Sequence, residues 1–545
     1  MTPAPVSAET LAELATTRPA PAGAAALRAA LHARRMLLLK AALVRVERAR
    51  TALAPGVRTR FEADWALLER AERADPAAVR DLLDYPMTGA WLGAVLAADE
   101  GPELERHLPY ITGLALSAAV RSGCPVEGER SVPSGRLVLP GLGVLCCPSG
   151  RALLDGRPGS TRITDATGAT EVLFDRPGTD ARRSDGGGAG RPGADSRRRD
   201  GEGTGRPGAD TRWLDGGGAG RPGTDSRRRD GDGTGRPAAD TRRPDGGGTG
   251  GPGADTCRSD GDDTGRPGVA TGRRDDGGTG RPGAGARRPD GDDAGRLGED
   301  TRRPHGGGTG WLGLRALPGS AVLLDDLDPY RVPVHGIGPE ALPAARRPDS
   351  APGAWAARWV AARDLLSATD PARAAETSEV LRAVVPLAPS GHTGGPPMSA
   401  TLRAAPGALL SQLPQDAGDL AETLVHESQH TKLATLHELV PLYRPGGARH
   451  RVGWRPDPRP VPGVLQGVYA HLALADLWRR ARDGSLPDHS WRDRAERQFD
   501  THWDQVGKAL SILRESDELT CAGREFVQEM ERHHARLGVA ARSPG

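Results

Sequence analysis

The sequence predicts an α+β protein, mostly helical: a helical bundle first, a small β-rich region in the middle and a helical metal-binding domain last. Three observations lead there. Leu and Ala recur at helical spacing over residues 8–100 and again from 354 onward. Between about 136 and 340 the pattern changes to short apolar runs broken by Gly and Pro. Inside that middle stretch, a fifteen-residue unit repeats nine times.

Residues 1–115 make the helical region, with AAALRAALHARRMLLLKAALVRV and WALLERAERADPAAVRDLLDYP as its clearest segments and Pro at the breaks. RLVLPGLGVLCC, TRITDATGATEVLF and WLGLRALPGSAVLLDDLDPYRV read as strands, which places a β-rich region at 116–175 and 311–340. The repeats run from RPGTDARRSDGGGAG at 176–190 to RLGEDTRRPHGGGTG at 296–310 and fill 135 positions. Each copy is Gly, Pro, Asp and Arg with almost nothing apolar. Stacked copies would bury no continuous face and could not offset ordering entropies of roughly 1–2 kcal/mol per residue. The expectation is a disordered insertion leaving from a hairpin tip or loop, where extra length costs little. Its 26 Arg against 23 Asp plus Glu make it a polyampholyte, not a basic arm. Residues 341–540 form the last domain: helix at 354–385, strand and loop in SATLRAAPGALLSQLP at 399–414, and mainly helix after Asp419.

Composition limits the partners. Gly contributes 75 and Pro 47 of the 545 residues and aromatics only 3%, so much of the chain cannot be core. Lys plus Arg, 73, nearly cancel Asp plus Glu, 71, and a net charge of +2 offers no broad field to nucleic acid or an anionic membrane. The five cysteines (Cys124, Cys146, Cys147, Cys257, Cys521) contain no CxxC pair, which fits reduced thiols in a cytoplasm better than a zinc knuckle or redox motif. MTPAPVSAETLAEL has no basic segment before an apolar one, and RRMLLLKAALVRV is interrupted by Lys40 and Arg45. Neither a signal peptide nor a membrane span is expected, and the expected location is the cytoplasm.

The chemistry concentrates in TLVHESQHTKL at 423–433. Asp419 is the expected N-cap, with Glu422 three residues on; Leu420, Leu424 and Val425 supply an apolar face, and Pro441 closes the segment. On that helix His426 and His430 project from one face a turn apart, close enough for two nitrogens to bind one ion at ~2.0–2.1 Å, with Glu427 beside them at another azimuth. A third ligand must come from elsewhere. Leu433 and Leu436 stand where the HExxHxxGxxH extension needs Gly and His, and His437 lies about 10 Å further along the axis. His471, in the amphipathic VLQGVYAHLALADLWRRA, would arrive if this segment packs antiparallel to the first helix; spacing alone leaves it equally readable as a core histidine. Asp476 and Glu438 are further candidates. Between the two helices, the proline-rich loop WRPDPRPVPG at 454–463 carries Arg455 and Arg459, whose guanidinium forks suit a carboxylate or bind Asp457 and solvent.

TLVHESQHTKLATLHELVPLY followed by WRPDPRPVPGVLQGVYAHLALADLWRR resembles the HExxH-motif peptide-modification family, described as 2-oxoglutarate-dependent peptide β-hydroxylases of ribosomal peptide natural-product clusters. The resemblance extends to LDDLDPYR at 324–331, SATLRAAPGA at 399–408 and ELTCAGREFV at 518–527, most of the chain outside the repeats. It implies Fe(II) held by His426, His430 and His471, with 2-oxoglutarate and dioxygen in the open positions. It further implies Arg459, with Arg455 second, at the distal carboxylate of 2-oxoglutarate. The implied substrate is a ribosomal precursor peptide, with other peptide-maturation enzymes as partners and hydroxylation of a side-chain β-carbon as the outcome. Glu427 then orients a ligand or a water. Ser428 departs from the large apolar residue usual in the family, and the repeat array is an addition to it.

Two other readings share these residues. A zinc metallopeptidase would use the same His pair with Glu427 as general base toward metal-bound water, trimming a leader or other peptide. A metal-free protein would bind the peptide and present it to a partner enzyme.

Overall fold

Proline starts five of the first seven helices, because its fixed φ suits the first helical turn and its missing N–H has no partner there in any case. They are α1 (Ala8–Ala15), α2 (Pro21–Arg48), α3 (Pro55–Ala74), α4 (Pro76–Leu83), α5 (Pro86–Ala97), α6 (Pro102–His107) and α7 (Tyr110–Ser122). Ser7 caps α1 through the Thr10 N–H, Asp75 caps α4 through Ala77 and Ala78, and Gly123 ends α7 with a left-handed φ of 71°. The computed structural model describes residues 6–157, 159–175, 305–307, 309–390, 397–444, 446–484 and 489–542. These residues form an α+β fold, mostly helical, as the periodicity predicts.

Strands follow: β1 (Glu127–Ser131), β2 (Arg136–Leu139), β3 (Gly143–Cys146), β4 (Arg151–Arg157), β5 (Ser160–Asp165), β6 (Glu171–Asp175), β7 (His305–Gly307), β8 (Trp311–Gly313), β9 (Arg315–Ala316) and β10 (Leu323–Leu324). Burial in β4 alternates strictly, with Ala152, Leu154 and Gly156 inward, so one face of the sheet β1-β4-β5-β6-β7 meets core and the other solvent. β6 pairs antiparallel with β7, Asp175 opposite His305. The repeats therefore leave one strand and return on its neighbour, the placement expected for a tolerated insertion. The expected limit at 310 is corrected, because HGG at 305–307 of the ninth copy is itself strand. Residues 176–304 of the expected disordered insertion, Cys257 among them, lie outside the described residues.

The last part holds α8 (Pro352–Thr369), α9 (Pro371–Val380), β11 (Ala383–Pro386), β12 (Ser399–Thr401), β13 (Ala408–Ser411), α10 (Ala417–Leu439), β14 (Arg449–Val452), β15 (Arg455–Pro460), α11 (Val461–Asp483), α12 (His489–Glu515) and α13 (Cys521–Arg542). Helix expected through 385 stops at Val380, and Ala383–Pro386, apolar throughout, becomes a fully buried strand. The mixed sheet β12-β13-β11-β10-β9 joins strands from both sides of residue 340, so the β-rich region and the last domain share a sheet. The chain's start joins this part too: Leu11, Leu14 and Leu27 share a core with Leu433, Val464 and Val468. No helix of the described residues is long and apolar enough to cross a membrane.

Candidate metal centre

The N-cap of α10 is Asp416, not the expected Asp419. The Asp416 carboxylate accepts the Asp419 N–H at 2.8 Å, whereas the Asp419 carboxylate meets Arg494 at 2.8 Å. Both aspartates suit a cap; the one three residues earlier takes the N–H and sets the first turn. From Leu424 to Leu433 the helix is buried on every side, packed against α8, α11 and the edge strand β12. His426 and His430 are 7% and 4% exposed, and their Nε2 atoms stand 2.9 Å apart with rings at 86°. The expected pair on one face is present. The Gln466 Oε1 lies 2.9 Å from His430 Nδ1, so with Nδ1–H donating to that amide, Nε2 presents its lone pair toward His426.

α11 packs antiparallel to α10, the arrangement under which His471 could reach the pair, since His430 meets Gln466 while His426 meets His471 further on. The His471 ring, 2% exposed, lies with its centroid 5.4 Å from that of His426. Trp454, at the turn between β14 and β15, stacks on the other face of this neighbourhood, 4.7 Å from the His471 ring. Gly467 makes room for that indole, because a Cβ there would come within 2.5 Å of it. A fourth imidazole stands beside these: His502 of α12, 5.0 Å from His471, whose Nδ1–H donates to the Gln498 carbonyl at 2.8 Å. That bond leaves Nε2 as its lone-pair nitrogen.

Burial holds His426 well below the usual imidazole range, and His430, His471 and His502 each press it lower. All three neighbours therefore lie within electrostatic reach of one ring. On the same face one turn earlier, Arg494 occupies Glu422 at 2.6 Å, so that acid is neutralised by a guanidinium. The result is a buried space lined by imidazole nitrogens, with burial favouring the neutral form of His426.

Neutral imidazoles suit Fe(II), zinc or copper. Two nitrogens on one ion at ~2.1 Å stand ~3.0 Å apart at a right angle and ~3.4 Å apart at a tetrahedral one. The observed 2.9 Å matches the right-angled pair, and equally an N–H···N bond between the rings. Among the described residues, no three His, Cys, Asp or Glu side chains are already set to hold a metal ion. The donors are assembled in kind and in neighbourhood.

The remaining candidates fall elsewhere. Glu427, fully buried, accepts the Ser399 hydroxyl of β12 at 2.7 Å. His437 stacks on Tyr443 at 3.9 Å and its Nδ1 accepts the Leu442 N–H, away from the site as its axial offset requires. Glu438 pairs with Arg34 at 2.6 Å, and Asp476 is surrounded by Arg373, Arg479, Arg480 and Arg18. Neither is a metal-ligand candidate in this fold. The expected loop at 454–463 is corrected to a strand: β15 pairs with β14, His450 opposite Arg459. Arg455 and Arg459 both bind Asp457, at 3.1 and 3.2 Å.

His502, Trp454 and Gln466 were not singled out by sequence. For His502 a signal existed. The buried positions of α12 are Trp491, Ala495, Phe499, His502, Val506, Ala509, Leu510 and Leu513, and a histidine occupies one slot of that apolar stripe. No protein-family model matches the chain, and no curated protein is significantly similar to it.

Proposed function

We propose that the chain is an Fe(II)- and 2-oxoglutarate-dependent hydroxylase of a ribosomally synthesised precursor peptide. The observation that supports it is the convergence of His426, His430 and His471 from two antiparallel helices into one buried space. The resemblance of the flanking strings to peptide β-hydroxylases favours iron over zinc. Iron bound there would supply oxidising power from dioxygen and 2-oxoglutarate. The chain's own residues prepare for it. Gln466 and the Gln498 carbonyl fix the tautomers of His430 and His502 so that Nε2 carries the lone pair. Trp454 covers His471 and keeps water from that side. Glu427, tied to Ser399, holds α10 at a set angle against β12 and acts as a positioning residue.

Arg459, with Arg455 second, would take the distal carboxylate of 2-oxoglutarate. Asp457 now occupies both guanidinium groups, and its side chain is 51% exposed. An ion pair that open contributes about 0–1 kcal/mol, so a better-buried diacid can displace it. Gly463 supports the placement: Arg459 Nε lies 3.2 Å from where its Cβ would be, so the guanidinium rests on the first turn of α11, the helix that carries His471.

The test is incubation of the anaerobically iron-loaded chain with a precursor peptide from its own gene cluster, with and without 2-oxoglutarate. A mass gain of one oxygen that requires the cosubstrate is expected. Cleavage of the peptide by zinc-loaded chain without 2-oxoglutarate would replace this reading with the metallopeptidase. Binding without either change, by protein that retains no metal, would leave the peptide-presenting role.

A further inference from the structure

Beyond the imidazole cluster, one cavity has the makings of a second site. It measures about 90 Å³, room for roughly six to nine water positions, and lies between α2, the end of α9 and a face of α10 that the histidines do not use. Leu27, Leu31, Val380 and Pro406 make its apolar wall. Its mouth carries Arg28 and Glu379, paired with each other at 2.7 Å and each about half exposed.

The charges in this cavity are paired, with one exception. Asp84 meets His32 at 2.9 Å, Lys432 meets Glu376 at 2.5 Å and Arg382 meets Asp81. Arg35 lines the cavity at 2% exposure with no carboxylate inside ion-pair distance among the described residues. Its one protein hydrogen bond runs from Nη1 to the Ala404 carbonyl at 3.2 Å. Gly89 lets it lie there: a Cβ at that position would fall 1.0 Å from Nη1. The Thr431 hydroxyl, also on the cavity wall and 5% exposed, has no hydrogen-bond partner. Desolvation brings Arg35 down to about 10 and Arg34 presses the same way, against the opposing pull of Asp84 and Glu438, which lie beyond contact.

A buried guanidinium that no carboxylate contacts is costly, and a fork of donors in a cavity that also holds an unbonded hydroxyl and an apolar wall describes a complement to one small anion. We infer that this cavity binds a small organic monocarboxylate, its carboxylate on Arg35 and Thr431 and its hydrocarbon part against Leu27, Leu31 and Val380. One unpaired positive charge selects a monoanion over a phosphate dianion. The volume limits the ligand to a short chain, too small for a peptide end with its side chain. The site does not depend on the metal reading, since no histidine contributes to it.

Calorimetric titration of the full chain with sodium valerate tests the inference, with valeramide, inorganic phosphate and sodium chloride as controls. Saturable binding of valerate in the millimolar range is expected, with none for valeramide. Arg35→Met should weaken it roughly tenfold or more, the scale of a lost charge-assisted pair. The same substitution should keep or raise the melting temperature of the ligand-free chain, because it removes a buried charge that no carboxylate contacts. If that variant fails to fold, Ala24→Phe fills the cavity from a position about three turns before Arg35 on α2, leaves Arg35 in place and should abolish binding. The inference is overturned by phosphate binding in preference to valerate, by absence of saturation, or by unchanged affinity in the variant that folds.

Discussion

Among the buried polar clusters of the described residues, the aspartate turn and the imidazole group around His426 are built differently. In the turn LDDLDPYR, Asp325 accepts from the Leu327 and Asp328 N–H groups and from Tyr85 Oη, and Asp328 accepts from the Tyr330 N–H and Tyr110 Oη. Asp326 is met by Arg347, Arg315 and Ser350. Every carboxylate oxygen there has a protein donor, so the knot ties α5 and α7 to the β-rich region and leaves nothing to bind. Around His426 the contacts run from ring to ring: His430 Nε2 stands 2.9 Å from His426 Nε2 and the His471 ring lies alongside, with no charged partner on His426 among the described residues. Burial alone does not separate a structural cluster from a functional one; saturation of the polar atoms does.

A change confined to the imidazole cluster should cost function without loss of fold. His430→Ala should remove bound metal and abolish hydroxylation while leaving the far-ultraviolet circular dichroism unchanged, as read by elemental analysis and peptide mass. Retained metal and activity would refute the site. The converse holds for the knot. Asp326→Ala leaves Arg347, 19% exposed, facing a vacated site, and should cost roughly 3 kcal/mol in urea denaturation with metal content per folded chain unchanged.

The two clusters also differ in how far sequence reaches them. Helices were legible because Leu and Ala keep a 3.6-residue period and Pro marks the first turns. His426 and His430 follow from that period alone, and His471 from the amphipathic face that carries it. The hairpin was not legible, because Pro456, Pro458 and Pro460 argue against a strand. In the fold β15 is half of a two-stranded hairpin, paired with β14 alone, and its outer edge demands no N–H. His502 was missed for another reason: nothing near it in sequence binds metal, and only the packing of α12 on α11 brings it to His471. The knot's three aspartates read as a motif, yet their partners Tyr85 and Tyr110 lie more than two hundred residues away.

His502 tests the imidazole side. His502→Phe keeps volume in the apolar stripe of α12 and removes one nitrogen. Metal affinity should fall by ~10–100-fold, the range for a residue that orients or supplements ligands, with little change in melting temperature. Equal affinity in a competition assay against a metal chelator would assign His502 to packing alone.

The smallest expected effect concerns protons in the saturated knot. Burial, and then the charge of Asp325, push the Asp328 carboxyl up to about 7, and Asp325 is raised as well. The folded chain therefore holds a proton that the unfolded chain releases near pH 3.9. This contribution to stability is complete below about pH 4, declines as pH rises through about 7 and is then lost, with a slope no steeper than about 1.4 kcal/mol per pH unit for one proton. Asp328→Asn fixes the neutral form, and its amide cannot accept from both Tyr110 and the Tyr330 N–H, so it loses about 1 kcal/mol at every pH. The informative quantity is the slope: urea midpoints of the variant should decline less between about pH 4 and pH 7 than those of the parent chain. An equal slope would mean that the proton is not held at this turn. Its carboxylates would then stay charged at neutral pH, and the knot would owe its strength to the tyrosine and backbone donors alone.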